Sequence, residues 1–169
     1  MEVRLARVED AEAMRAIYNL EVTGSTVTFD LVPRTLADQQ TWLEERSGTY
    51  AAIVAVEGGK LAGFASLSPY RDRPAYRTTV EDSVYVDRRH QGRGIGRLLL
   101  SELLARADES GFHAVMARIV GGHDASIALH RGQGFEVVGT ERVVGRKFNR
   151  WLDVVLMQRL LQEDASVRR

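Results

Sequence analysis

A mixed α/β fold, a central sheet with helices packed against it, is what the sequence predicts, and three patterns predict it. Between Tyr50 and Val86, short apolar segments follow one another with turn residues between them, as the strands of a meander do. After Gly94, a long segment carries apolar residues at helical spacing. Beyond it, strand-like and helix-like stretches alternate to the last apolar run. A meander followed by strand-helix-strand-helix-strand is an α/β or α+β mixed sheet, and 169 residues suit a single domain, residues 1–169, with a core of useful size.

In order, Val3 to Arg7 reads as a short strand. Asp10 caps a helix running to about Val22, in which Ala13, Ile17 and Leu20 recur at helical spacing. The stretch TGSTVTFDLVPRT is a loop, and Thr35 caps a second helix carrying Leu36, Trp42 and Leu43. YAAIVAVEGGKLAGFASLSPY is a hairpin turning at Glu57-Gly58-Gly59-Lys60, and Thr78 to Val86 adds a third strand. The long helix covers about Gly94 to Ser110, His113 to Val120 is a strand, and DASIALHRGQ is a short helix ended by Gly134. Phe135 to Leu160 holds two final strands with a break near Gly145 to Asn149.

Composition excludes several functions. Lys+Arg and Asp+Glu are both 23, so no global field draws nucleic acid or an acidic membrane, and any basic feature acts locally. The absence of cysteine removes disulfides, thiolate nucleophiles and cysteine-bound zinc. The opening MEVRLARVEDAEAM is too charged for a signal peptide and no apolar run reaches membrane length, so a cytoplasmic protein without nucleic-acid or membrane partners is expected.

Against that balanced background, RRHQGRGIGR (Arg88 to Arg97) stands at a strand-to-helix junction. A helix amino terminus exposes unpaired N–H groups, and glycines let the backbone close on a ligand, so this is an anion site, most often one for phosphate. A nucleotide P-loop needs Gly-Lys-Ser/Thr, but Arg97 and Leu98 follow Gly96 here. A dinucleotide fold needs G-x-G-x-x-G in the first βαβ unit, but the glycines are Gly92, Gly94 and Gly96 in mid-chain. A plain Gly-rich turn remains the alternative for the glycines alone.

Gln91-Gly92-Arg93-Gly94-Ile95-Gly96 resembles the Q/R-x-x-G-x-G/A element of the GNAT acyltransferases. The segment from Ser126 to Phe135 is similar to that superfamily's later helix with its terminal Gly-Phe. STVTFD (Ser25 to Asp30), RPAYRTTVEDSVYV (Arg73 to Val86) and VGRKFNRWLDVVLMQ (Val144 to Gln158) resemble its phosphinothricin and methionine sulfoximine N-acetyltransferase subfamily. The resemblance covers nearly the whole chain. It implies a GNAT fold, acetyl-CoA as co-substrate with no metal, a homodimer, and transfer of acetyl to the α-amine of phosphinothricin, methionine sulfoximine or methionine sulfone. It also implies that the loop Gln91 to Arg97 clasps the coenzyme A pyrophosphate, while Val84, Tyr85 and Val86 offer backbone to the pantetheine arm and an N–H to the thioester carbonyl. Ser126 belongs to the cofactor side as well. His123 stands where many relatives have an asparagine that reaches the pantetheine.

An amine attacks a thioester only when neutral, and a free α-amine of pKa near 8 is mostly protonated at pH 7, so a base is needed. Glu81 is the candidate, in mid-strand and projecting opposite to Val80 and Asp82. Asp82, on the other face, is the weaker base; it and Ser83 are carried as acceptor-side positions by the resemblance. His130 stands where many family members have a tyrosine, and it either donates a proton to the leaving sulfur or shuttles the amine proton, or is a buried, hydrogen-bonded structural histidine. A Ser126/His130/Asp124 hydrolase triad lacks a nucleophile elbow, and His123 with His130 lacks a third metal ligand. In the loop PYRDRPAYR, the arginines Arg71, Arg73 and Arg77 suit oxyanion recognition, and Phe29 and Tyr76 suit pocket walls. Acceptance of a polyamine or a peptide amino terminus, or a CoA-binding sensor without turnover, is the alternative the sequence leaves open.

Overall fold

The computed structural model describes residues 1–46 and 48–162. Along the chain run β1 (Glu2–Leu5), α1 (Ala11–Gly24), α2 (Leu36–Glu44), β2 (Ala52–Glu57), β3 (Lys60–Pro69), β4 (Thr79–Val86), α3 (Ile95–Glu109), β5 (Ala114–Val120), α4 (Asp124–Arg131), β6 (Glu136–Lys147) and β7 (Arg150–Leu160). The strands form one sheet in the order β1-β2-β3-β4-β5-β7-β6, antiparallel throughout except between β4 and β5. This is the mixed sheet the sequence pattern implies.

Each face of the sheet has its own core. On one face Leu99, Leu100, Leu103 and Leu104 of α3 pack on Ile53, Ala65, Val80, Val115 and Ala117. On the other, Met14, Ile17, Tyr18 and Val22 of α1 and Leu43 of α2 pack on Val54 and Phe64. Strand alternation therefore sends Val80, Asp82, Val84 and Val86 of β4 toward α3, and Glu81, Ser83 and Tyr85 toward α1. Among the described residues no helix is long and apolar enough to cross a membrane.

Several local expectations need correction. Helix α1 forms, but its buried stripe is Ala11, Met14, Ile17, Tyr18 and Val22; Ala13 and Leu20 are exposed. The Asp10 carboxylate does not cap α1: it turns back to accept from the Arg7 N–H at 2.8 Å and from Arg4 at 2.7 Å. Thr35 does cap α2, its hydroxyl accepting from the Asp38 N–H at 3.1 Å, although Leu36 stays exposed and Gln39 is the residue fully buried. The break between the two final strands does fall within Gly145 to Asn149, narrowed to the turn Phe148-Asn149 because pairing runs on to Lys147 opposite Arg150; what the sequence does not show are the register shifts at Val137/Gly139 and at Glu141/Gly145, where Val143 adopts a φ of 58°.

Candidate active site

Strand β4 is bonded to β3 from Val80 to Val86, but to β5 only from Thr79 to Glu81. Beyond Glu81 the two parallel strands part. Backbone groups on that edge of Asp82 to Val86 lose their ladder partners, and such groups stay unpaired only where water or a ligand takes them up. A cleft of about 790 Å³ fills the gap, with Val84, Tyr85 and Val86 on one wall and Ala117 to Val120 on the other. The Tyr85 ring is committed to packing, 5.1 Å from Tyr18 and 5.2 Å from Phe64 between centroids. Its backbone is what faces the cleft edge.

One end of the cleft has the geometry that suits an anion. Asp87 follows β4; its carboxylate accepts from the Arg89 N–H at 2.8 Å and from the Arg89 guanidinium at 2.6 Å, the guanidinium contact holding it down to about 2. This fixes the tight turn Arg88–His90 that feeds the glycine loop. Gly92 and Gly94 have φ of 73° and 79°, a left-handed conformation costly to any residue with a Cβ, and Gly94 is the residue that starts α3. Gly96 sits close to α4: a Cβ there would stand 3.3 Å from a Leu129 methyl, so the start of α3 lies directly against that helix. The N–H groups of Ile95, Gly96 and Arg97 have no partner within the helix. Gln91, Gly92, Gly94, Ile95 and Gly96 all line the cleft, whereas Arg93 lies outside the lining and pairs with Glu57 at 2.8 Å, and Arg97 points to solvent. Arg88 does line it, fixed by Glu21 of α1 at 2.8 Å, a long-range pair that nothing in the local sequence announces.

The other end carries the titratable groups. Glu81 is half-buried on the α1 side of the sheet; burial pushes its carboxyl up, opposed by the Arg118 and Arg71 charges and reinforced by Asp82 and Glu141. Asp82, on the opposite face as expected, accepts a hydrogen bond from His130 Nε2 at 2.9 Å, with side chains only 1% and 5% exposed. His130 Nδ1 in turn donates to the Ser126 carbonyl at 2.8 Å. Both ring nitrogens thus face oxygen acceptors, an arrangement that suits the doubly protonated ring. Burial disfavours that cation, yet the Asp82 bond and charge and the Ser126 carbonyl outweigh it and raise the pKa above the ordinary histidine value. His123 stands at the start of α4 and lines the cleft with Ser126; burial lowers its pKa and keeps it neutral.

Phe29 and Ser83 line the cleft too. Phe29 is placed by a clamped loop: the Tyr18 hydroxyl donates to Asp30 at 2.6 Å and contacts Thr28 at 2.8 Å, and buried Lys147 donates to the Thr28 carbonyl at 2.8 Å. Its ring lies on Gly145, where any Cβ would collide with it. Arg71, Arg73, Tyr76 and Arg77 are exposed on the segment between β3 and β4, outside the cleft lining; Tyr76 packs edge-on against Tyr70, and of the four only Arg71 acts on Glu81 through its charge. Arg118, absent from the sequence-derived candidates, lines the cleft; its signal was a lone charge in the apolar run AVMARIV. Among the described residues no group of three His, Cys, Asp or Glu side chains is placed to hold a metal ion.

Open N–H groups at a glycine-rich helix start, a parted pair of parallel strands and a half-buried carboxylate at the far end are the parts an enzyme would use to lay a long phosphate-bearing co-substrate between strands. Residues 14–135 match the Acetyltransferase (GNAT) family. The L-methionine sulfoximine/L-methionine sulfone acetyltransferase of Pseudomonas aeruginosa is 41% identical over 92% of each chain. Among solved structures, a phosphinothricin acetyltransferase of Sinorhizobium meliloti in complex with acetyl-CoA superposes with a TM-score of 0.94 at 38% identity, covering 99% of this chain and 91% of that one. The Ribosomal-protein-alanine N-acetyltransferase of Brucella melitensis superposes with a TM-score of 0.93 at 41% identity, covering 95% of this chain and 99% of the other. The chain belongs to the GNAT family, and it is an N-acetyltransferase that uses acetyl-CoA.

Proposed function

We propose that this enzyme, acting as a single catalytic domain, acetylates the α-amine of a small amino-acid analogue of the methionine sulfoximine, methionine sulfone or phosphinothricin type. The observation that carries the reading is Glu81, a half-buried carboxylate of raised pKa at the point where β4 and β5 part. The Pseudomonas aeruginosa and Sinorhizobium meliloti relatives support the acceptor class.

Acetyl-CoA supplies the acetyl group already activated as a thioester. The first-turn N–H groups of α3 and the loop Gln91 to Gly96 hold its pyrophosphate, with Arg88 as the countercharge. The open backbone edge of Val84 to Val86 pairs with the pantetheine and directs an N–H to the carbonyl oxygen where negative charge develops. Glu81 takes the proton from the ammonium, directly or through a water, and a carboxylate so placed contributes about 10²–10⁴-fold. Its raised pKa brings its basicity closer to that of the amine it serves. His130 is a positioning residue: with one nitrogen on Asp82 and the other on Ser126, it ties α4 to β4 across the cleft and has no nitrogen left for the leaving sulfur. As the amine's C–N bond forms and the C–S bond breaks, coenzyme A therefore departs as a thiolate, which a thiol pKa of about 8.5 allows, and takes up from solvent the equivalent of the proton the nitrogen gives up. A homodimer is proposed as well, formed over the exposed apolar stripe of Val144, Phe148 and Trp151, and sedimentation or light scattering tests it.

The Brucella melitensis relative favours a second reading, a peptide amino terminus as acceptor. Thiol release from acetyl-CoA, measured with methionine sulfoximine, methionine sulfone, phosphinothricin, plain amino acids, spermidine and a short peptide, decides. Turnover concentrated on the three analogues supports the proposal; turnover only with peptide or spermidine discards the acceptor and keeps the chemistry.

A further inference from the structure

Six of the seven residues of β5 are buried, and the exception is Arg118. It lies on the Glu81 face: Met116 is the register partner of Glu81, and Arg118 is the next same-face residue along β5, where the strands have parted. Its guanidinium is held end-on by Glu141 of β6, Nη1 to Oε1 at 2.6 Å and Nη2 to Oε2 at 3.1 Å. Arg118 makes no other hydrogen bond among the described residues. Of the five guanidinium N–H groups, Glu141 takes two, which leaves Nε–H and its neighbouring Nη–H as a second fork of carboxylate-matching geometry. The side chain is 31% exposed and lines the cleft, so that fork has access to a ligand there. Arg71 adds positive charge to the same quarter, acting electrostatically on both Glu81 and Glu141.

We infer that Arg118, aimed by Glu141, binds the α-carboxylate of the acceptor and so restricts the enzyme to amino acids with a free carboxyl group. An amino acid carries its amine and its carboxylate on one carbon, so the groups that grip them must stand side by side, as Glu81 and Arg118 do at the parting of the strands. A peptide amino terminus or a polyamine has nothing to offer the second fork. The inference rests on the amino-acid reading of the acceptor given above. It also gives Arg118 a second effect: its charge favours the ionised form of Glu81, against burial and against the neighbouring carboxylates Asp82 and Glu141.

The test compares methionine sulfone with its carboxamide, which keeps the amine and loses the charge, in the wild type, Arg118→Gln and Arg118→Lys, with acetyl-CoA affinity as the control for folding. In Arg118→Gln the KM for the free acid rises at least about tenfold, the loss expected of a charge-assisted fork, while kcat/KM for the carboxamide at high pH stays within about twofold. Arg118→Lys falls between, since it keeps the charge and loses the fork. The acid limb of the carboxamide profile moves to higher pH in Arg118→Gln, because Glu81 loses its strongest favourable charge. Equal losses on both acceptors, or none on either, with wild-type turnover of the sulfone intact, overturn the assignment of Arg118 alone. A wild type that acetylates peptide but not the sulfone overturns it together with the acceptor reading.

Discussion

Asp82→Asn is an isosteric change that separates charge from shape in the buried pair with His130. In the wild type the imidazolium donates at both nitrogens, to Asp82 at 2.9 Å and to the Ser126 carbonyl at 2.8 Å. The side chains are 1% and 5% exposed, so solvent screening gives little discount, and a hydrogen bond to a charged partner contributes about 1.5–3 kcal/mol. With asparagine, a neutral ring satisfies both contacts, Nδ1–H donating to Ser126 and Nε2 accepting from the amide. The sign follows from the raised histidine pKa: its contribution is fully present below about 6.5 and is lost as pH rises through the folded-state value. The variant keeps burial, which lowers the pKa, and lacks the carboxylate that raised it, so charging the ring at acid pH costs stability. Asp82→Asn therefore loses about 2 kcal/mol near pH 5.5, some 4–8 °C in Tm for a chain of this size, and distinctly less near pH 9. Thermal unfolding of both proteins across that range measures it, with the His130 ring protons followed by NMR. A Tm difference that is constant with pH, or that grows toward pH 9, refutes the charged pair.

Gly94→Ala forces a Cβ into a φ of 79° at the start of α3, costing about 1–2 kcal/mol and weakening acetyl-CoA in a titration, because the same turn aims the first-turn N–H groups. Gly145→Ala places a Cβ against the Phe29 ring, so the loop that walls the cleft must move; the acceptor KM rises severalfold with a stability loss of about 1–3 kcal/mol, and a KM and Tm both unchanged would show that Phe29 yields freely.

What was legible in the sequence is local. The eleven regular elements are set by residues a few positions apart: the alternation of TVEDSVYV, the Thr35 cap on Asp38, the left-handed glycines of the 88–97 loop. The opposite facing of Glu81 and Asp82 follows from strand geometry alone. What was not legible depends on residues far apart in the chain. Asp82 meets His130 across 48 positions and Arg88 meets Glu21 across 67, and no periodicity encodes either. Ala13 and Leu20 were candidates for the buried stripe of α1 because apolar spacing alone does not say which side of a helix the sheet covers; Met14 and Tyr18 pack on the sheet instead. Arg93 and Arg97 carry the charge expected of phosphate ligands, yet one pairs with Glu57 and the other faces solvent, while the groups left open at the cleft are backbone N–H groups, which no sequence displays.

Glu81→Gln separates the base from the cofactor site when turnover and acetyl-CoA binding are measured in the same preparation. The side chain keeps its size and loses its basicity, so kcat with methionine sulfone at pH 7 falls about 10²–10⁴-fold while the acetyl-CoA Kd stays within about twofold. In the wild type, kcat/KM rises with pH along an acid limb whose pKa lies above the ordinary glutamate value, and the variant lacks that limb. A variant that binds acetyl-CoA normally and turns over at the wild-type rate would contradict the assignment of Glu81 as the base.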